Sequence, residues 1–495
     1  MRLPAFITSL TSVTLFFTTS ISSASTTIID VPLDLVSTVR QEYDGEIDIL
    51  GTDQVAKTAQ IKLNREYLNK NNFQTLNPSD FTKVSIENYL NPEKLNAALE
   101  VLANTYPELA TLFEVGESTD GRKIRGLILT AKTQKSQNSD QADKFDEADA
   151  PIAKPTVLFN GMHHAREVMA TEVPYDIAQY LLQNYQSDPE IRQWFDDYQI
   201  IIIPQVNPDG NDKVHKGNRW WRKNTYKKDN NVYGVDLNRN YPYLWNTCNG
   251  SSGSPGSEIY RGTEPASEPE SRAMIALSDK YKPVVDISYH SYSELILYPF
   301  GCRDEINDAK VLFDSIAQTM NNNIINDEGK TGQYQYGNTA DTIYQADGGD
   351  IDYHWKNNNV ISYVIELNSR QQGFQPSYTI WRDKTVKNQR GGWMSLLRRI
   401  STGAVKVQLD PALTDVTYRI KQNNKEDVDV INSDTEENIH TFNFGMNITE
   451  RGTRPNNLIY QLLPNGDYII EVLKDKKVIL SEDFSIKNDL VELHL

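Results

Sequence analysis

Three side chains in this 495-residue sequence have the types and spacing to share one metal ion. In Asn160-Gly161-Met162-His163-His164-Ala165-Arg166-Glu167, His164 and Glu167 stand three apart. In a tight loop or a helical turn both can point at one ion. Alone the pair is a weak signal, because His-x-x-Glu arises often by chance and a surface loop is the plain alternative. His290, at the end of the apolar run Val284–Tyr289, supplies a third candidate from far downstream. Two His and one Glu with a fourth position left for water is a catalytic zinc arrangement. Such a centre also needs a base. In Ile361-Ser362-Tyr363-Val364-Ile365-Glu366-Leu367 a carboxylate ends an apolar strand. Burying it without a purpose is costly, so Glu366 is a general-base candidate if its strand neighbours that of His290. A structural salt bridge to an arginine is the alternative.

The elements that must position these residues alternate. Thr156–Phe159, Gln199–Ile203, Val284–Tyr289 and Ile361–Ile365 read as buried strands, and Glu172–Tyr185 and Pro269–Tyr281 read as helices between them. Ser267-Glu268-Pro269-Glu270 has capping-box spacing and marks a helix start. Alternation of this kind over about 85 to 400 predicts an α/β domain built on a mixed, mostly parallel sheet flanked by helices. Ligands in such sheets bind beyond the carboxyl ends of the strands, where His164, His290 and Glu366 all fall. Upstream, Glu46–Leu50 and Gln60–Leu63 alternate as short strands, and Arg65–Asn72 is a helix candidate. The polar stretch Lys132–Lys154 reads as a surface insertion. After about 403, runs such as Val405–Leu409, Tyr468–Val472 and Leu490–Leu493 alternate between turn signals and predict a β-sandwich.

His164-Ala165-Arg166-Glu167, Gly234-Val235-Asp236-Leu237-Asn238-Arg239-Asn240, His290-Ser291-Tyr292-Ser293, Ile343-Tyr344-Gln345-Ala346 and Ile365-Glu366-Leu367 stand in one order along the chain. In this order they resemble the zinc carboxypeptidases of the A/B subfamily, and more closely its secreted bacterial relative carboxypeptidase T. The resemblance covers about 85 to 400. It implies that His164, Glu167 and His290 bind one zinc ion and that Glu366 is the base assisting a zinc-activated water. By the same resemblance Arg222 stabilises the oxyanion, which suits preorganised positive charge. Asn238 and Arg239 match the pair that grips the substrate's terminal carboxylate, a task for a planar guanidinium. Tyr344 matches the mobile tyrosine that closes over the substrate. Arg166 matches an accessory substrate-binding arginine, and Tyr292 lines the cleft. Asp236 matches the carboxylate that orients the first zinc histidine. His163 has no matching ligand role. His215, His354, His440 and His494 read as surface or loop residues, and Trp220-Trp221 as packing.

Ile351 aligns with the pocket-floor position, where an apolar residue implies release of hydrophobic or aromatic C-terminal residues. Asp350 is adjacent, and if it turned inward basic ends would become acceptable. Cys248 and Cys302, the only cysteines, fall near the pocket, where a disulfide is a hypothesis. The first segment begins Met1-Arg2, carries no acidic residue before Asp30, and offers Ser22-Ser23-Ala24 as a cleavage pattern. It reads as a signal peptide, with an uncleaved anchor as the alternative. The expected layout is a signal peptide 1–24, a probable pro-segment 25–83, the catalytic domain 84–402 and a β-sandwich domain 403–495. The expected protein is secreted, extracellular or periplasmic, and monomeric. It has no membrane span in the mature form, and its substrates are peptide or protein C-termini. A zinc amidase acting on cell-wall peptides, or an inactive peptide-binding relative, are the competing readings. The formal charge of −17, from 50 Lys plus Arg against 67 Asp plus Glu, argues against nucleic acid as partner. Two cysteines exclude a disulfide scaffold or a cysteine-rich zinc module. About three domains fit a chain of this length.

Overall fold

Runs such as Gln199–Ile203 carry apolar side chains on both faces, which as strands must be covered on both sides, and this one is a fully buried strand. The computed structural model describes residues 26–33, 36, 39, 47–53, 57–64, 85–131, 154–229, 231–423, 430–431, 438–439 and 447–495. The leader 1–24, the helix candidate Arg65–Asn72, residues 132–153 of the polar stretch, and His440 lie outside the described residues. The central sheet has eight strands: β1 Ala110–Glu117, β2 Lys123–Leu129, β3 Thr156–Gly161, β4 Gln199–Ile203, β5 Val285–Ser291, β6 Leu295–Tyr298, β7 Gln335–Asn338 and β8 Ile361–Leu367. Their order across the sheet is β7-β6-β8-β5-β3-β4-β2-β1. The inner pairs β8–β5, β5–β3 and β3–β4 are parallel, as is the outer pair β6–β7. The pairs β6–β8, β4–β2 and β2–β1 are antiparallel.

Every residue of β3, β4 and β5 is buried. The helices Met169–Asn184, Lys310–Asn323 and Tyr378–Ser401 contribute to one apolar core, and Pro269–Tyr281 packs with β1 in a second. At the end of β3, Gly161 lets the chain fold back tightly. A Cβ there would lie 2.1 Å from the Ala170 carbonyl oxygen of the next helix. Among the described residues no helix is long and apolar enough to cross a membrane.

Two smaller sheet systems flank this body. At the N-terminus, Thr26–Pro32, Thr58–Asn64 and Ile47–Asp53 form a three-stranded antiparallel sheet with Thr58–Asn64 in the middle. At the C-terminus a three-stranded sheet centred on Ala404–Gln408 and a four-stranded sheet of Asn447–Gly452, Thr417–Gln422, Gly466–Lys474 and Lys477–Ile486 make the expected β unit. Its buried Arg454 joins it to the catalytic sheet. The guanidinium donates to the carbonyls of Pro283 (2.7 Å), Asn359 (3.1 Å) and Tyr460 (3.3 Å), and to that of Lys282. Residues 282–283 and 359 immediately precede β5 and β8, so the clasp holds the ends of these strands remote from the site.

The helix Pro269–Tyr281 starts where expected, but not by a capping box. Glu268 is the N-cap with no side-chain cap bond, and Ser267 Oγ donates to Glu268 Oε1 at 2.8 Å instead. Glu270 is buried and turned away. It accepts from the Thr119 amide (2.9 Å) and shares the Asn224 amide with Glu268. Tertiary partners have outbid the local motif. Burial, with the Glu268 charge beside it, pushes the Glu270 carboxyl up to about 7. A raised carboxyl pKa leaves the fold fully stable below the unfolded value of 4.5 and costs stability as pH climbs towards 7. Thermal unfolding at pH 5 and pH 8 should therefore show Glu270→Gln raising Tm more at pH 8. An equal shift at both values would remove this account.

Candidate active site

The site lies at the carboxyl ends of β3, β5 and β8, set by strand register. Tyr289 pairs with Gly161, and His290 pairs with Glu366. Side chains in one parallel row share a face, so His290 and Glu366 open into the same cleft that His164 and Glu167 reach from the loop after β3. The ligand atoms converge. His164 Nδ1 lies 2.8 Å from Glu167 Oε1, His290 Nδ1 lies 3.0 Å from Glu167 Oε2, and the two Nδ1 atoms are 3.1 Å apart. Tetrahedral zinc with bonds of ~2.1 Å spaces its ligand atoms about 3.4 Å apart, so a small outward relaxation accommodates the ion. The far nitrogen of His164 faces Asp236 Oδ1 at 3.1 Å. A proton held there leaves the Nδ1 lone pair aimed at the cluster, the tautomer a metal ligand needs. The residues present thus fit a zinc ion.

A second group, His163, His290 and Asp350, also brings three ligand atoms together. Its chemistry differs. His163 Nε2 is hydrogen-bonded to the Tyr241 hydroxyl at 2.9 Å, and its ring stacks on His290 at 5.6 Å and 13°. Burial pushes its pKa down to about 3, so it packs as a neutral ring. His163 does not border the cleft, whereas His164, Glu167 and His290 all do.

Asp236 organises more than a histidine. Its Oδ2 accepts from Arg222 Nε (3.1 Å) and Nη2 (2.9 Å), and Oδ1 also accepts from the Asn238 amide (3.0 Å). One buried carboxylate therefore sets His164, Arg222 and the Asn238 backbone. Burial works against the charged form of Asp236, but Arg222 and His164 hold its pKa well below the ordinary range. Burial, with the Glu167 charge next, pushes Glu366 up to about 8. A dication in front of it would pull that value down again.

One side of the cleft combines apolar side chains with the buried carboxylates of Asp350 and Asp352. Leu295, Leu297, Ile343, Ile351 and Val364 form one buried cluster against which Tyr344 packs. Asp350 is fully buried beside His163, its Oδ2 3.7 Å from His163 Nε2, and its Oδ1 accepts from the Ile351 amide. Arg239 is held by the carbonyls of Gly250 (Nε, 3.0 Å) and Asn238 (Nη1, 2.6 Å). Cys248 and Cys302 are disulfide-bonded, closing the loop before Gly250 against Gly301. Asp347, which sequence reasoning passed over, accepts the amides of Thr247, Cys248 and Gly250 (3.0 to 3.1 Å) and shapes that loop. Its only sequence signal is a carboxylate just before Gly348-Gly349.

His354 is a correction. It is fully buried in the helix Asp350–Asn358, its Nδ1 2.9 Å from Asp286 Oδ2. Asp286 also accepts from Asn160 and Ser362, each at 2.8 Å, which makes a polar floor beneath the site. His215 is partly buried and His494 is exposed.

The N-terminal sheet covers the cleft. Ile49 and Leu50 border it. Asp48 meets Arg166 through two bonds, Nη1–Oδ2 2.5 Å and Nη2–Oδ1 3.0 Å. The Gln60 amide spans the Tyr292 hydroxyl (2.7 Å) and the Arg370 guanidinium (2.7 and 2.9 Å).

Because Asp236 orients both a metal-facing histidine and Arg222, Asp236→Asn should weaken zinc binding by about 10- to 100-fold. Chelator competition on the purified protein measures this without any turnover. Unchanged affinity would show that His164 is oriented without Asp236.

The zinc carboxypeptidase family model matches residues 95–386, more than half of the chain. Zinc carboxypeptidase A 1 of Anopheles gambiae is 28% identical over 326 residues, covering 65% of this chain and 68% of that protein. Carboxypeptidase B of Astacus astacus is 31% identical over 285 residues, covering 56% of this chain and 86% of that protein. The crystal structure of carboxypeptidase A from Helicoverpa armigera superimposes with a TM-score of 0.61 at 23% identity, over 75% of this chain and 96% of that one. The chain belongs to the zinc carboxypeptidase family, on its A/B-like side, and is a metallocarboxypeptidase, a hydrolase acting as an exopeptidase.

Proposed function

We propose that the protein removes single hydrophobic or aromatic residues from the C-termini of peptides and proteins, using His164, Glu167 and His290 as ligands of one zinc ion. The observation that carries this reading is the pairing of His290 with Glu366 in one row of the sheet, beside the His164–Glu167 cluster. When bound, zinc supplies Lewis acidity and lowers the pKa of a water. Glu366 takes a proton from the attacking water and returns it to the leaving amine. Arg222, anchored on Asp236 through Nε and Nη2, presents Nη1 to the oxyanion that develops on the scissile carbonyl. Asn238 and Arg239 hold the terminal carboxylate. Tyr344 closes over the substrate, Tyr292 lines the cleft and Arg166 binds the chain upstream.

The apolar cluster of Leu295, Leu297, Ile343, Ile351 and Val364 supports a hydrophobic last residue, while Asp350 and Asp352 are the cleft-lining carboxylates that a basic one would have to reach. Asp350 Oδ2 lies 3.7 Å from the neutral His163 ring, and Asp350 also lines the cleft, so release of basic ends, the mixed specificity of the carboxypeptidase T kind, is the competing outcome of the release assay. Kinship with carboxypeptidase T itself rests on motif order alone. An amidase reading is disfavoured because Asn238, Arg239 and Tyr344 suit a free α-carboxylate.

The proposed layout is a leader 1–24, a removable pro-segment 25–83, a catalytic domain 84–402 and a β domain 403–495, in a secreted monomer. The Asp48–Arg166 pair and Leu50 in the cleft support the pro-segment.

Protein trimmed of the pro-segment should release Phe and Leu from peptides faster than Lys, Arg or Glu. Glu366→Gln should keep its zinc and lose about 10²- to 10⁴-fold in kcat/KM. Full activity in that variant would end the base assignment, and faster release of Lys than Phe would end the pocket assignment. In the uncut chain, Asp48→Ala removes the two-bond partner of buried Arg166 and should loosen the cover. Activity before proteolysis should rise several-fold, and no rise would mean that other contacts hold the cover down.

A further inference from the structure

The surface beneath the N-terminal sheet carries a second charged corner. Glu258 Oε2 lies 4.0 Å from Arg166 Nη1, but Arg166 already meets Asp48 through two bonds. Among the described residues Glu258 Oε2 is buried without a hydrogen bond, although the side chain as a whole is 31% exposed. The Lys223 charge acts on the carboxylate as well, from an ammonium anchored on the carbonyls of Ser257 (2.6 Å) and Pro255 (3.0 Å). The covering sheet contributes a third cation, Lys62, whose charge also acts on Glu258. The Lys62 ammonium stands 5.2 Å from the centre of the Trp220 indole ring. Next to it, Ile28 and Leu50 of the cover pack with Tyr292, Phe374 and Trp220. The cover therefore lays an ammonium over an aromatic face, within electrostatic range of a carboxylate whose Oε2 has no hydrogen bond among the described residues, with apolar side chains alongside.

We propose that, once the cover leaves, the Trp220–Glu258 corner binds a cationic side chain of the substrate, Lys or Arg, upstream of the scissile bond. Lys62 is the resident stand-in for that side chain. An aromatic face attracts a cation through its quadrupole, and a partly desolvated carboxylate adds charge that water screens poorly. The corner is separate from the Ile351 pocket that takes the last residue. The enzyme is thus built to trim hydrophobic ends from chains that carry a basic residue shortly before the end. This inference rests on the peptide-cleft and pro-segment readings above.

The test uses trimmed enzyme and peptides ending in Phe, with Lys, Gln or Glu placed in turn at each of the three positions before it. At one position kcat/KM for Lys should exceed that for Gln by about 3- to 10-fold, with Glu below Gln. That Lys/Gln ratio should fall as ionic strength rises, a readout that needs no variant. Glu258→Gln should bring the ratio close to one, and Trp220→Leu should lower it. A ratio of one at all three positions overturns the proposal. It is the result expected if Arg166, freed from Asp48, turns to neutralise Glu258. A ratio that survives in both variants, or ignores salt, overturns it as well. Release of no Phe from any peptide removes the underlying cleft reading, and this proposal with it, an outcome distinct from release without a basic preference.

Discussion

Register between two parallel strands is the constraint on which the site depends. β5 and β8 pair from Val285–Ile361 to Ser291–Leu367 without a bulge. Side chains alternate with a period of two, so a slip of one residue would send His290 and Glu366 to opposite faces. The apolar residues that fix the register lie earlier in the same strands. Ile287 and Tyr289 on β5, with Tyr363 and Ile365 on β8, are fully buried in one core. The opposite face of the same strands carries Asp286, Ser288 and Ser362, tied to Asn160, His163 and His354 by hydrogen bonds. A slipped register would leave these buried polar groups unpaired, at a cost of about 1–3 kcal/mol each. The polar floor thus helps select the alignment that the chemistry requires.

Electrostatics then separates an acidic protein from a cationic cleft. Arg166, Arg222 and Arg239 are all buried at the site, each in a different setting. Arg222 rests on Asp236, Arg239 on backbone carbonyls, and Arg166 on Asp48 of the N-terminal sheet. Carbonyl anchoring fixes the position of Arg239 without cancelling its charge, which suits a group meant to meet a carboxylate. Arg166, by contrast, pairs with a carboxylate of the N-terminal sheet rather than one of the central sheet.

Long apolar strands were legible because their pattern is local. Thr156–Phe159 and Gln199–Ile203 extend by no more than two residues from the expected limits, and the helix Pro269–Tyr281 has the expected ends. The metal-facing residues were legible through a resemblance that fixed their order, and the structure brings them within hydrogen-bonding distance. What stayed hidden depends on partners remote in sequence. His354 looks like a surface residue until Asp286 is placed 2.9 Å away across the sheet. Ser267 looks like a cap until Glu270 is drawn to Thr119 and Asn224. Asp350 could have faced the pocket or the core, and only the fold sets its carboxylate beside His163. In each case the neighbours of a buried polar group come from elsewhere in the chain, and no local pattern encodes that choice.

The C-terminal β unit acts on the same strands from the other end. Among the described residues buried Arg454 has no carboxylate partner, and burial pushes its pKa down to about 10. Its four carbonyl acceptors include Lys282 and Pro283, just before β5, and Asn359, just before β8. Asn359 in turn donates to the Tyr418 hydroxyl (2.6 Å) and to Gln461 (2.7 Å) of the β unit. The two strands whose far ends carry His290 and Glu366 are therefore clamped together where they begin. A clamp at one end of a parallel pair resists sliding along its whole length, because the pair is seven residues long and packed throughout. The appendage thereby reinforces the alignment that places Glu366 beside His290.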